Sequence, residues 1–402
     1  MLNKETLKEI IISQRETLEK LEVGITRKKE IKIEDSFAII ITGIRRCGKS
    51  TFMHQLIRKQ KAYYYLNLED PRLDSFELSD FNKIELIFKE LYGEKGIYFF
   101  DEIQNIEKWE KFIRYLVDKK EKIVITGSNA SLLSQELGTK LTGRYLQIEM
   151  FPFSFEEFLN LKKQKPSLQS FEHYLTKGGF PEYLLKENPE ILYNLLSDIV
   201  MKDIALRFKI KNTNILNKIA IYLISNVGKE FSYNSIKKMF SIKSVQSVID
   251  YVYYLENTYL IFTIPQFSYS YKQQQINPKK VYSIDNGFSY NNSASFSKDK
   301  GKMLENLVFI NLRKRNHEIF YFKDKNECDF VVKEREKVIQ AIQVCYDFNE
   351  ENKDRELNGL LNALKEFKLQ EGVILTYNQE DEFQLEGKKI KVIPVWKWIN
   401  EI

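Results

Sequence analysis

The stretch "GIRRCGKST", Gly43–Thr51, follows the apolar run "FAIIIT" at 37–42 and leads into "STFMHQLIRKQ", a helix-forming segment. Gly43, Gly48, Lys49 and Ser50 fill every fixed position of the G-x-x-x-x-G-K-[ST] phosphate-loop pattern. The chemistry requires these residue types. Small glycines let backbone N–H groups turn inward around a phosphate, and a helix starting near Lys49 adds its positive end. On this reading the loop Gly43, Ile44, Arg45, Arg46, Cys47, Gly48, Lys49, Ser50, Thr51 cradles a nucleotide. Lys49 reaches the β- and γ-phosphates, and the Ser50 hydroxyl holds Mg²⁺.

Around this loop, strand-like runs at 37–42, 62–68, 96–101, 122–127 and 144–150 alternate with helical segments. In one of these, Ile103, Ile106, Trp109, Phe112, Ile113 and Leu116 recur at helical spacing. The alternation predicts an α/β fold with a mostly parallel sheet covered on both faces, whose ligands sit at the carboxyl ends of the strands. "GIYFFDEIQ" places Asp101 and Glu102 at such an end. Asp101 is expected to bind Mg²⁺ through water, and Glu102 to serve as general base toward an attacking water. The next run ends in Ser128 and Asn129, placed to orient that water. Arg144, in "LTGRY", is either an arginine finger, acting in its own subunit or a neighbour's, or a surface cation flanking a strand.

The 402 residues suffice for two or three domains, and 43% hydrophobic with 29% charged residues is the composition of an ordinary globular protein. No stretch approaches the roughly 18–20 uncharged apolar residues of a membrane span. The amino-terminal segment reads as an amphipathic helix without a signal peptide's apolar centre. Cys47, Cys328 and Cys345 show no C-x-x-C spacing, which argues against a disulfide framework or zinc ribbon and for the cytoplasm. A net charge of +6 is mild, yet 209–243 holds seven lysines and one acid, Glu230. Such an island is a candidate phosphate-facing surface or a solvated face.

Beyond 150 the pattern becomes largely helical. From 214 to 285, three helices, the last running into an apolar strand, and a second strand, "VYSID", outline a winged helix. The helix "SVQSVIDYVYYLEN" would turn Val245, Val248, Ile249, Val252 and Leu255 inward. Lys243, Ser244, Gln246 and Ser247 then face outward, with Lys237 and Lys238 preceding them, for phosphates, base edges or a protein client. "NGFSYNNSASFSKDKGK" reads as a mobile loop or boundary. A compact α/β module follows, and the tryptophans of its closing "VIPVWKWI" are expected in the core.

The phosphate loop, the Asp-Glu pair, "ITGSNA" and "LTGR", followed by "MFPFSFEEF" and "GGFPEYL", resemble the prokaryotic AAA-type ATPases that carry a C-terminal domain of unknown function. The resemblance implies a P-loop NTPase (AAA+) core of five parallel strands, a winged helix and a restriction-endonuclease-like module. It also leaves room for a ring or other oligomer, and implies that Ser128 or Asn129 senses the γ-phosphate and that Pro181 of "GGFP" lies near the base. Nucleases of that type need a helical glutamate, then Asp and Glu-x-Lys on adjacent strands. Glu305 and Asp329 fit, but Gln343 stands at the acid position and Cys345 at the lysine position, so metal-dependent cleavage is not expected. The expected divisions are an N-terminal helix plus nucleotide-binding core at 1–150, a helical lid or linker at 151–210, a winged helix at 211–285 and an inactive nuclease-like module at 286–402. The leading reading is Mg²⁺-dependent ATP hydrolysis that rearranges modules binding double-stranded DNA or a protein. The alternative is a slow nucleotide-gated switch or scaffold, and a metal nuclease comes third.

Overall fold

The computed structural model describes residues 2–29, 31–128, 141, 143–294, 299–315 and 317–399. Two compact units form, Met1–Phe151 and Pro152–Ile402.

In the first unit, helix α1 (Lys4–Lys20) precedes the alternating series β1 (Ala38–Gly43), α2 (Lys49–Ile57), β2 (Tyr63–Asn67), α3 (Asp80–Tyr92), β3 (Ile97–Asp101), α4 (Trp109–Asp118), β4 (Ile123–Gly127) and β5 (Tyr145–Met150). The five strands make one parallel sheet in the order β2-β3-β4-β1-β5. Strand β1, between β4 and β5, is buried throughout, which is why its sequence is a continuous apolar run instead of an alternating one. Helices α1, α3 and α4 bring Leu7, Ile10, Ile84, Phe88, Phe112 and Leu116 against Ile40, Leu66, Phe100 and Ile125. The alternate strand residues Ile39, Ile41, Phe99 and Val124 are equally buried, and α2 packs on β1, β3 and β4. Both faces of the sheet are therefore covered, and the carboxyl ends of β1, β3 and β4 lie at one edge.

The second unit begins with α5 (Phe155–Lys162), α6 (Leu168–Lys177), α7 (Pro181–Lys186) and α8 (Glu190–Asp198), the last continuing into a π-helix at Ile199–Leu206 that the helical periodicity did not distinguish. Then come α9 (Thr213–Ser225), β6 (Glu230–Phe231), α10 (Tyr233–Met239), α11 (Val245–Asn257), β7 (Ile261–Pro265), a short α12 (Tyr271–Ile276) and β8 (Lys279–Ser283). The three strands pair antiparallel in the order β6-β8-β7.

Residues 286–292, expected as loop or boundary, are instead helix α13 (Asn286–Asn292). Asp285 caps it, accepting the N–H of Phe288 at 2.9 Å and that of Gly179 at 2.7 Å. Gly287 lies so close to α6 that a Cβ there would stand 1.9 Å from the Lys177 carbonyl oxygen. The Asn286 amide donates to the carbonyls of Leu175 and Met303. The Asn292 amide likewise donates to the Leu192 carbonyl, so Asn286 and Asn292 satisfy buried carbonyls and do not mark a solvated turn.

Helix α14 (Lys300–Lys314) leads into β9 (Glu318–Lys323), β10 (Glu327–Glu334), β11 (Lys337–Cys345), α15 (Lys353–Glu366), β12 (Glu371–Thr376), β13 (Asp381–Leu385), β14 (Lys388–Pro394) and α16 (Val395–Trp398). The six strands form one mixed sheet in the order β13-β14-β12-β11-β10-β9. Trp398 is in the core as expected, but Trp396 is only half-buried, its indole N–H donating to Asn378.

Candidate nucleotide site

The segment after β1 turns back on itself through two left-handed residues, Arg46 (φ 63°) and Gly48 (φ 97°), before α2 begins at Lys49. Alternation of this kind points successive backbone N–H groups into one concavity, at the positive end of α2. Gly43 has a steric reason to lack a side chain: a Cβ would stand 2.1 Å from the Met150 carbonyl oxygen. Arg27 braces the turn, its guanidinium donating to the carbonyls of Cys47 at 3.0 Å and Phe151 at 2.6 Å. Cys47 is buried and its thiol is pushed up by that burial, so it packs and does not react. Arg45 pairs with Glu69 at 3.2 Å, and Ile44 is fully buried.

Lys49 is buried. Its Nζ donates to the carbonyls of Gly43 and Ile44, both at 3.1 Å, and lies 3.8 Å from Glu102 Oε1. Asp101 closes β3, and its carboxylate accepts hydrogen bonds from the hydroxyls of Thr126 and Ser50. Burial, and then the neighbouring Glu102 charge, push the Asp101 carboxyl up to about 6, against the pull of those hydroxyls and of Lys49. Glu102 takes a left-handed backbone conformation (φ 50°), with its N–H held by Thr126 Oγ1 at 3.0 Å. Its side chain accepts from the Gln104 amide, which also donates to Ser128 Oγ at 3.3 Å. Lys49, Ser50, Asp101, Glu102 and Ser128 thus converge at the carboxyl edge of the sheet. A hydroxyl bonded to a buried carboxylate is a hard-oxygen pair, which fits a Mg²⁺ ligand set.

Asn129 lies outside the described residues. Thr51 is exposed on the first turn of α2. Arg144 is not brought to this site. It precedes β5 at the opposite edge of the sheet, where Ala38 N–H bonds its carbonyl and its guanidinium pairs with Asp118. The length of β5, about 16–20 Å at strand rise, separates it from Gly43, which corrects the expectation of a finger acting within the same subunit. Pro181 is the first residue of α7 in the second unit.

Residues 35–159 match an AAA domain model, 168–297 a domain of unknown function (DUF8612) and 300–398 another (DUF4143). Uncharacterized protein MJ1544 of Methanocaldococcus jannaschii is 37% identical over 431 aligned positions, covering 99% of this chain and 96% of that protein. The chain belongs to its family. An uncharacterized protein of Haemophilus influenzae is 30% identical, with 92% of this chain and 96% of that one covered. Among solved structures, a DNA polymerase III gamma subunit-related protein from Thermotoga maritima covers 76% of this chain and 100% of its own, at 13% identity and a TM-score of 0.27. Likeness at that level decides nothing here. The family architecture is an AAA-type N-terminal region followed by two domains of unknown function. No helix among the described residues is long and apolar enough to cross a membrane.

In the second unit, Val248, Val252 and Leu255 form the buried stripe of α11, while Val245 and Ile249 are half-buried at its margin. Lys238, Lys243, Ser244 and Gln246 are exposed, and Lys237 and Ser247 are half-buried. Ser244 caps α11, accepting the Gln246 N–H. Glu305, Asp329, Gln343 and Cys345 are all buried and line one cleft of about 1040 Å³. Gln343 donates to Glu356 at 2.6 Å and accepts the Asp329 N–H at 3.2 Å. Cys345, its thiol pushed up to about 12 by burial, donates to the Asp347 carbonyl.

Sequence reasoning missed four residues that hold these sites: Thr126, Gln104, Arg27 and, in the second unit, Lys280. Thr126 is the polar residue in the apolar run "KIVITG", which is a readable signal. The other three lie outside the fixed positions of the phosphate-loop, acid-pair and nuclease patterns.

Proposed function

We propose that the first unit binds Mg²⁺-ATP and hydrolyses it. The observation that carries this reading is the meeting of Lys49, Ser50, Asp101 and Glu102 beside the turn closed by Gly48. Lys49 neutralises the β- and γ-phosphate oxygens. Glu102 accepts a proton from the water whose oxygen bonds to the γ-phosphorus as the β–γ bridge breaks and ADP leaves. Ser50, and Asp101 through water, would hold Mg²⁺, which would supply charge neutralisation to the phosphates. Ser128, tethered to Glu102 through Gln104, orients the water. Thr126 fixes both acids at once. Steady-state phosphate release by wild type and Glu102→Gln tests the reading: a loss of 10²-fold or more supports it, and equal rates sink it.

A second reading, a slow nucleotide-gated switch, draws on the engagement of Glu102 by Gln104 and Lys49, which holds the base away from water. Tight ATP binding with equally slow turnover in both proteins favours it.

For the second unit, we propose a winged helix over 211–285 that contacts duplex DNA, and a restriction-endonuclease-like module over 286–402 without hydrolytic activity. Support for the first is the exposure of Lys238, Lys243 and Gln246 around the start of α11, with β7 and β8 as the wing. Support for the second is the neutral Gln343 and the thiol of Cys345 beside Glu305 and Asp329. Nucleotide turnover would then change how these modules are presented to a partner.

A further inference from the structure

The buried acids of the C-terminal module converge on a cation that the chain itself supplies. Lys280, on β8 of the three-stranded sheet, sends its ammonium into the centre of the six-stranded module. There Nζ lies 2.6 Å from Glu327 Oε1, 3.0 Å from Asp329 Oδ1 and 3.2 Å from Glu305 Oε1. The side chain is 1% exposed. The ammonium donates to Glu305 and Asp329, and Glu327 completes the set as a third ion-pair partner.

We propose that Lys280 is a tethered replacement for a divalent metal ion: its ammonium fills the carboxylate centre and fastens strand β8 to the C-terminal sheet. The proposal rests on reading this module as nuclease-like. The remaining lone pairs of Glu305 and Asp329 are already satisfied by the chain itself. Glu305 Oε1 also accepts from Tyr282 OH at 2.7 Å, and Oε2 from Lys302 Nζ at 2.7 Å. Asp329 Oδ2 accepts the Val344 N–H at 3.0 Å.

The acid set itself has changed along with its cation. In a working centre of this type a third acid stands where Gln343 is, and a divalent ion balances the set. A neutral amide at Gln343 removes one negative charge, and a centre with one acid fewer holds a divalent ion less well. Gln343 turns its amide toward Glu356 and not toward Lys280. The ammonium of Lys280 fills the centre without a metal.

The test uses the full chain without nucleotide, as wild type, Lys280→Met and Lys280→Met/Asp329→Asn, with thermal unfolding and Mn²⁺ binding by electron paramagnetic resonance as readouts. Without metal, K280M exposes uncompensated buried carboxylates and should melt on the order of 10 °C lower than wild type. Mn²⁺ should bind K280M and raise its melting temperature while leaving wild type unmoved, and the double variant should lose that gain. An unchanged melting point in K280M, or an ion effect equal in all three proteins, overturns the proposal. If K280M is recovered only as insoluble protein, refolding with and without Mn²⁺ decides: recovery that needs the ion supports the replacement, and recovery indifferent to it, or none in either case, counts against it. Metal-dependent cutting of duplex DNA by wild type would remove the inactive-nuclease reading instead, so the two failures are distinguishable.

Discussion

Lys49 Nζ lies 3.8 Å from Glu102 Oε1, so the loop lysine and the proposed general base are partners before any phosphate arrives. A polyphosphate must draw Lys49 away from this carboxylate and from the carbonyls of Gly43 and Ile44. Glu102→Gln removes the charged competitor while keeping the shape. ATP affinity should therefore be equal to wild type or a few-fold tighter, while turnover falls 10²-fold or more. Titration with a fluorescent ATP analogue beside a phosphate-release assay checks both; a variant that binds tenfold more weakly contradicts the arrangement.

Thr126 serves both acids, donating to Asp101 and accepting from the Glu102 N–H. Thr126→Val keeps the volume but removes donor and acceptor together. Leaving a buried N–H and a buried carboxylate short of a partner costs about 1–3 kcal/mol each in the general case. The expected outcome is a lower melting temperature and a kcat reduced about tenfold or more with KM little changed. A loss confined to KM would show that Thr126 acts on binding instead of on the acids.

Asp101 gives the first unit a pH signature. Its carboxyl is held at about 6 in the folded chain against an ordinary value of 3.8, so the folded state keeps the proton more readily than the unfolded one. The stability it contributes is present below pH 3.8 and is lost as pH rises to about 6. Without nucleotide or Mg²⁺, Asp101→Asn should match wild type near pH 3.5 and exceed it at pH 7.5 by on the order of 1–3 kcal/mol. Asp285 and Asp329 are also pushed up to about 6, so the informative quantity is the difference between variant and wild type. In the same direction, Mg²⁺-dependent nucleotide affinity should weaken as pH falls below about 6. A D101N curve parallel to wild type would contradict the assignment.

If the 211–285 module meets duplex DNA, binding should weaken steeply with salt, and replacing Lys238 or Lys243 by alanine should lower the salt slope by about one for each phosphate that is no longer neutralised. Fluorescence anisotropy at low and high salt measures this. Affinity that ignores both salt and the substitutions points to a protein partner for this surface.

The nucleotide-binding unit was largely legible in the sequence because its signals are local. Each strand is a short apolar run, and the phosphate loop and the Asp-Glu pair sit at strand ends, where period and punctuation fix them. What escaped depends on chain segments distant in sequence. Arg144 sits beside a plausible motif, but parallel pairing of Tyr145 with Ala38 puts it at the far edge. Asn286 and Asn292 carry loop composition, yet carbonyls of α6, α8 and α14 turn them into buried donors. Lys280 lies in "NPKKVYSID", where strand alternation alone cannot say that it reaches three acids on α14 and β10.

The most direct measurement for the central claim is calorimetric titration of the purified chain with ATP, with and without Mg²⁺, for wild type and Lys49→Ala. The arrangement around Gly48 predicts magnesium-dependent binding by wild type, weakened at least tenfold when Lys49 is replaced. No magnesium-dependent binding, or binding undiminished in K49A, would contradict it.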